Sequence, residues 1–301
     1  MKSVKKEIFD KIVSVYPTLS PKKKRVADLI VKDYKNIFLK TAKEIAQECQ
    51  VSEPTITRFV VDLGFTGYAD FLNYMKGLLH TELTSAERLT MVTHRHDERT
   101  TIQKYCQNAI VNLENLMGSF VEHDFKQIAK TIFLADHVLV VGYRASSTLA
   151  NYFGNLLKKI RGNVTVDTTL SWELTSSINA MAESEESVLM VVLGFPRYST
   201  RTLEIMEYAK KCNVKIVGIS DTPRSPIISN ADQYYIIDVE VVSFVDPFAH
   251  IIAFLGALVH EVTFLDNKKA LAYITKFDEC AKSTNEFFTA ETPDQDCWNT
   301  I

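Results

Sequence analysis

In residues 1–80, apolar side chains recur every three or four positions, the spacing of amphipathic helices. Val4, Ile8, Ile12 and Val15 line one face of a first helix that Pro17 ends. Val26, Leu29, Ile30 and Tyr34 line a second, opened by Ser20 as N-cap and Pro21 at its first position. Residues 41–68, TAKEIAQECQVSEPTITRFVVDLGFTGY, read as two short helices around a tight turn. Ile45 and Ala46 face inward on the first; Ile56, Phe59, Val60 and Leu63 do so on the second. Ser52 holds the N-cap position of that second helix, two residues ahead of Pro54. After the turn at Gly64–Tyr68, Phe71, Leu72 and Met75 carry a further helix toward Leu79. The pattern predicts a small all-α domain organised around a helix-turn-helix.

The grammar then changes. Residues 80–101 lose periodicity and read as a linker, and Ile102–Phe120 is an amphipathic helix through Ile110, Leu113, Leu116 and Met117. Short apolar runs at His137–Val141, Val164–Val166, Val188–Leu193, Lys215–Ser220 and Tyr234–Ile237 alternate with helical stretches, the last being the apolar Asp246–Leu265. Buried strands separated by helices predict an α/β doubly wound parallel sheet covered on both faces. The expected organisation is 1–79 helix-turn-helix domain, 80–101 linker, 102–282 α/β domain and 283–301 tail.

Charge changes the picture in the first part. The whole chain is at −3, which alone argues against a nucleic-acid partner. Residues 1–80, however, hold 14 Lys+Arg against 9 Asp+Glu, a net of +5, and the rest holds 20 against 28, a net of −8. A basic head on an acidic body suits a polyanion-binding domain attached to something else. The five scattered cysteines form no CxxC pair, so a reduced, cytoplasmic chain without a structural metal is expected. His94 and His96 lie in the polar linker without further ligands at metal spacing and are taken as solvated. The N-terminus has no signal-peptide pattern, and Ile251–Leu265 is too short to span a bilayer.

Two sets of residues carry chemistry. The outward face of the second motif helix presents Ser52, Glu53, Thr55, Thr57 and Arg58, short hydroxyls and one cation suited to base edges and phosphates in a major groove. Thr41, opening the first motif helix, joins them. So do Lys22, Lys23, Lys24 and Arg25, crowded into a first helical turn where the dipole disfavours cations and an external phosphate would favour them. The second set lies after two strands. Gly142, Arg144, Ser146 and Ser147 follow one; Arg197, Ser199 and Thr200 follow another. Hydroxyls, free N–H groups and an arginine at strand ends that open helices make a phosphate or carboxylate site, although Ser and Thr there also cap helices. Glu240, just past the last strand, is placed near the same ligand.

The residues LSPKKKRVADLIV and TAKEIAQECQVSEPTITRFVVDLGFTGYADF, with Gly142, Ser146 and Ala150 and the later VKIVGIS and SPIISNAD, resemble the RpiR (MurR/RpiR) family of bacterial transcription regulators. The resemblance spans about residues 3–265 and implies a helix-turn-helix head followed by a SIS (sugar isomerase) domain. Arg144 stands where the G-x-G-x-S-x-x-x-A signature has its second glycine, and Gly194–Ser199 (GFPRYS) replaces the usual S-x-S-G-x-T loop, a form similar to a subset of the family. Ser199 falls where that loop's threonine would be. Gln50 stands where helix-turn-helix turns usually have glycine, at ~1 kcal/mol if that position needs a positive φ. The resemblance implies a regulator of operator DNA that senses a small anionic carbohydrate derivative, a sugar phosphate or sugar acid, as a homodimer or homotetramer without cofactor. Two alternatives remain at this level. One is a sugar-phosphate isomerase, for which Glu173, Glu240, His250 and His260 are candidate bases with nothing to select among them. The other is a SIS domain acting only in oligomerisation.

Overall fold

The computed structural model describes residues 4–37, 40–79, 84–93, 99–169, 172–183, 186–240 and 244–284. His94, His96 and all of the tail beyond Thr284 lie outside the described residues.

The head consists of α1 (Val4–Val15), α2 (Pro21–Asp33), α3 (Ala42–Glu48), α4 (Glu53–Asp62) and α5 (Tyr68–Leu79). Its core is the apolar set read from the periodicity: Ile8, Ile12, Val26, Ile30, Ile45, Ala46, Ile56, Phe59, Val60, Phe71 and Met75 are all buried together. Ser20 caps α2 by accepting from the N–H of Lys23, and Thr41 and Glu44 form a reciprocal capping box on α3. The turn between α3 and α4 passes through Gln50 at φ 51°, the left-handed conformation that its usual glycine adopts freely. The bond from Val51 N–H to the Ala46 carbonyl (2.9 Å) closes this turn, and the Arg25 guanidinium donates to the Gln50 carbonyl at 3.3 Å.

The stretch 80–101 is not structureless. It contains α6 (Ser85–Thr93), opened by a capping box in which Glu87 N–H donates to Thr84 Oγ1 (3.1 Å) and Thr84 N–H to the Glu87 carboxylate (2.8 Å). The T-x-x-E signature was present, but a nine-residue helix is too short for a clear apolar period.

The α/β domain begins with α7 (Thr101–Gly118) and α8 (Glu122–Leu134). Then come β1 (His137–Gly142), α9 (Ser146–Ile160), β2 (Val164–Asp167), α10 (Trp172–Ala182), β3 (Val188–Leu193), α11 (Thr200–Lys211), β4 (Lys215–Ser220), α12 (Pro226–Ser229) and β5 (Gln233–Ile236). It ends with α13 (Ala249–Leu265) and α14 (Asn267–Ser283). All strands pair in parallel, in the order β2-β1-β3-β4-β5. Val138 and Val140 of β1 with Leu189, Val191 and Leu193 of β3 pack against α8, α9 and α13. Leu139, Val141, Met190 and Val192 pack on the opposite face. Both faces are therefore apolar, which is why the strands read as continuous hydrophobic runs.

α7 departs from its pattern. Ile102, Ile110 and Met117 are exposed, and the side turned to the body buries Asn108 and Asn112. Asn112 accepts from Glu240 N–H at 2.8 Å and donates back to its carbonyl at 3.2 Å, which Asn108 also reaches at 3.0 Å. The segment leaving β5 is thus held at Glu240 by side chains of α7. No single described helix is long and apolar enough to cross a membrane.

Candidate functional sites

On the head, α4 presents Ser52, Glu53, Thr57 and Arg58 outward, with Thr55 half-buried. Ser52 occupies the N-cap, but its hydroxyl meets Thr55 Oγ1 at 2.9 Å instead of capping a backbone N–H. Thr41 is engaged with Glu44. Three of the four cations crowded at the start of α2 have partners within the head. Lys23 pairs with Asp62 at 2.5 Å, Lys24 lies over the Tyr16 ring at 5.2 Å, and Arg25 braces the Gln50 carbonyl. Lys23, Lys24 and Arg25 thus each also have a contact within the head. Lys22 is exposed.

The second site sits where the strand order reverses. The connection after β1 leads to β2 on one side and that after β3 to β4 on the other, so a crevice opens beyond the carboxyl ends of β1 and β3. A cavity of about 620 Å³ lies there, lined by Tyr143, Arg144, Ser146, Arg197, Tyr198, Ser199 and Thr200, and also by Arg88, Phe244, Asp246 and Phe248.

Local geometry explains the residues that hold this crevice. A side chain on Gly142 would run into the Ser146 carbonyl and stand 2.8 Å from Ala150 Cβ, so only glycine lets α9 start directly on the strand end. Arg144 has φ 55°, a left-handed conformation that favours glycine; the arginine accepts the backbone strain and leaves its exposed guanidinium at the cavity. Ser146 is buried and accepts from Phe195 N–H at 3.4 Å, which ties the two loops together. Neither α9 nor α11 has a side-chain cap, so Ser146 and Ser199 are not spent on the capping that would make them ordinary. The Tyr198 hydroxyl donates to Asp221 at 2.5 Å, anchoring the β3–α11 loop to the end of β4. Burial, then the Asp221 charge, pushes that phenol well above its usual range, so it stays a neutral donor.

Of the predicted effector ligands, Arg144, Ser146, Arg197, Ser199 and Thr200 meet at this cavity. Gly142 shapes it from below. Ser147 is half-buried one residue further on, outside the lining. Glu240 is not brought in: it is exposed, and its backbone is held by Asn108 and Asn112. Glu173 and His260 are likewise exposed, and His250 is fully buried, with Nε2 donating to the Asp238 carbonyl at 3.1 Å. Arg88, Asp246, Phe244 and Phe248 were missed because they come from segments distant in sequence. Only the capping box ahead of Arg88 hinted that its segment was ordered.

Fold and site define a helix-turn-helix protein whose second domain is a doubly wound sheet with a basic crevice at its switch point. Residues 6–82 match the helix-turn-helix domain of the rpiR family, and residues 131–261 match the SIS domain. The chain belongs to the rpiR-type transcriptional regulators that join these two domains. It is 25% identical to an uncharacterized HTH-type transcriptional regulator of Haemophilus influenzae over 75% of this chain and 77% of that one. Among solved structures, the sugar isomerase domain of an RpiR transcription factor from Sphaerobacter thermophilus aligns at TM-score 0.56 and 24% identity, covering 60% of this chain and 99% of that one. The Vibrio vulnificus NanR protein complexed with ManNAc-6P aligns at TM-score 0.56 and 16% identity, covering 91% of this chain and 97% of that one. At these identities the structural likeness speaks for the fold.

Proposed function

We propose that this regulator places α4 in the major groove of an operator and that a small anionic carbohydrate derivative, a sugar phosphate or a sugar acid, binds the crevice and alters operator binding. The observation that carries the effector reading is the convergence of Arg144, Arg197, Ser146 and Ser199, from two separate strand ends, on one cavity. Two guanidinium groups with two serine hydroxyls that cap no helix favour an anion bearing hydroxyl groups. On the head, Thr57 and Arg58 are the first choice for base and phosphate contacts because both are exposed on α4. Ser52, Glu53 and Thr55 lie on the same turn, Thr41 opens α3, and Lys22, Lys23, Lys24 and Arg25 at the start of α2 are assigned to phosphates, with Lys22 exposed.

The exposed Ile102, Ile110 and Met117 along α7 support a homodimer, since a second copy would cover them, and a dimer supplies two heads for two half-sites. A sensor is favoured over an isomerase because Glu173, Glu240, His250 and His260 all stand outside the cavity lining. The test is a thermal-shift screen of sugar phosphates and sugar acids, paired with operator binding at rising salt. A native-state ligand must raise the melting temperature, and Ser146→Ala with Ser199→Ala should abolish the shift while sparing DNA binding. Retention on any DNA without a preferred sequence, or no shift from any compound, would overturn the corresponding half of the reading.

A further inference from the structure

The crevice loop that follows β3 is tied to a short turn, and that turn meets the head. The Tyr198 hydroxyl, between Arg197 and Ser199 of the cavity lining, donates to the buried Asp221 carboxylate at 2.5 Å. At the start of the same loop the Gly194 carbonyl accepts from the buried Ser220 hydroxyl at 2.5 Å, and Ser220 Oγ lies 2.6 Å from Ser225 Oγ. Residues 222–225 form a tight turn, closed by the Ser225 N–H on the Thr222 carbonyl at 3.0 Å, with Pro223 at its second position. Proline fixes the backbone there, so the turn moves with its ends instead of bending. Arg224, exposed on this turn, sets its guanidinium carbon 5.1 Å from the centre of the Tyr74 ring on α5 of the head. That ring packs on Phe65 of the head core, with centroids 4.9 Å apart. Arg224 therefore meets a group already embedded in the other domain.

We propose that the 220–225 turn is a relay between the crevice and the head: Tyr198 and Asp221 hold it to the crevice loop, and Arg224 on Tyr74 docks the head against it. What drives the relay rests on the effector reading above, whereas the contact chain stands apart from it. A ligand that draws on Arg197 or Ser199 loads the residue between them. Leaving Asp221 without Tyr198 would strand a buried carboxylate, so the bond is kept and the turn follows the loop. Arg224 stays over Tyr74 only while the turn holds its position, and the population of the docked head therefore follows the loop. An arginine over an exposed ring favours docking by about twofold to fivefold.

The test is amide exchange of the full chain read by mass spectrometry, first with no ligand added. Arg224→Ala should speed exchange over α5 (residues 68–79) about twofold to fivefold and leave 194–199 unchanged. Arg224→Lys, which keeps the cation, should lie between. Tyr198→Phe removes one hydroxyl in the other domain, yet it should speed exchange over 194–199, 220–225 and α5 alike. In the double variant Tyr198→Phe with Arg224→Ala, α5 should exchange no faster than in Arg224→Ala alone, because the relay is already cut. Additive effects on α5, or an α5 that ignores Tyr198→Phe, overturn the relay. Added 6-phosphogluconate or glucose 6-phosphate should alter exchange at 194–199 and α5 together in the wild type, and at 194–199 alone in Arg224→Ala. A wild-type response at 194–199 that never reaches α5 also overturns the relay, while the crevice stands. No response to either probe counts against the crevice reading, whereas non-additivity of the two substitutions still supports the relay.

Discussion

Gly142→Ala is the sharpest perturbation of the effector domain. The added methyl would collide with the Ser146 carbonyl and lie 2.8 Å from Ala150 Cβ, so α9 must move away from the end of β1. The obstacle is backbone and a short methyl, and no flexible side chain can swing aside. Overpacking of this kind costs about 3 kcal/mol, the upper part of the usual range. For a domain of this size that corresponds to a fall of ~6–12 °C in melting temperature. The displacement also lifts Ser146 from Phe195 N–H, the 3.4 Å bond joining the two anion loops, so the ligand-induced shift should vanish as well. The assay is calorimetric melting of the full chain with and without a binding sugar phosphate. Gly118→Ala serves as control, since a side chain there meets nothing within 4 Å and should alter stability by less than ~1 kcal/mol. A Gly142→Ala protein that melts and responds like the wild type would refute the close-approach argument.

Gln50→Gly should stabilise the head: relief of a left-handed backbone, ~1–2 kcal/mol, exceeds the ~0.5–1 kcal/mol of added chain entropy in the unfolded state, and denaturant midpoints measure the difference. Asn112→Ala should cost about 1–3 kcal/mol, because the Glu240 N–H that it receives at 2.8 Å would be left without that partner; urea unfolding reads this. His250 gives a pH dependence. Burial holds its imidazole below the usual range while the unfolded chain titrates near ~6.5. The unfolded state thus binds the extra proton, and stability should fall as the pH drops from about 6.5 toward the lowered folded value, a slope that His250→Gln should flatten in melting curves. Arg58→Ala should weaken operator binding and lower its salt dependence by about one phosphate contact, as electrophoretic titrations at several salt concentrations will show.

Local rules carried much of this protein. Helical and strand periodicity marked both domains, since Ile45, Phe59 and Val60 or Val138 and Val140 need only one period to be sorted toward a core. The same rules placed Arg144, Ser146, Arg197 and Ser199 at strand ends, because a parallel sheet directs its loops to one edge. Gln50, where helix-turn-helix turns usually have glycine, takes the left-handed backbone that the sequence raised only as a condition. Local rules failed where a residue's partner is far away in the chain. The pairing of Lys23 with Asp62, thirty-nine residues on, is one such contact. Glu240 looked like a ligand until Asn108 and Asn112, which pattern alone puts on a polar helix face, were found buried against its backbone. The capping box at Thr84 was a legible start signal, but the meeting of Arg88 with Asp246, 158 positions apart, was not. Periodicity reports which side of an element is buried, whereas the pairing of charges depends on how elements are stacked. The sequence alone therefore determined a basic helix-turn-helix head and a doubly wound body with two anion loops. Only the tertiary structure decided which cations also have partners within the head and that the segment between the domains reaches the crevice.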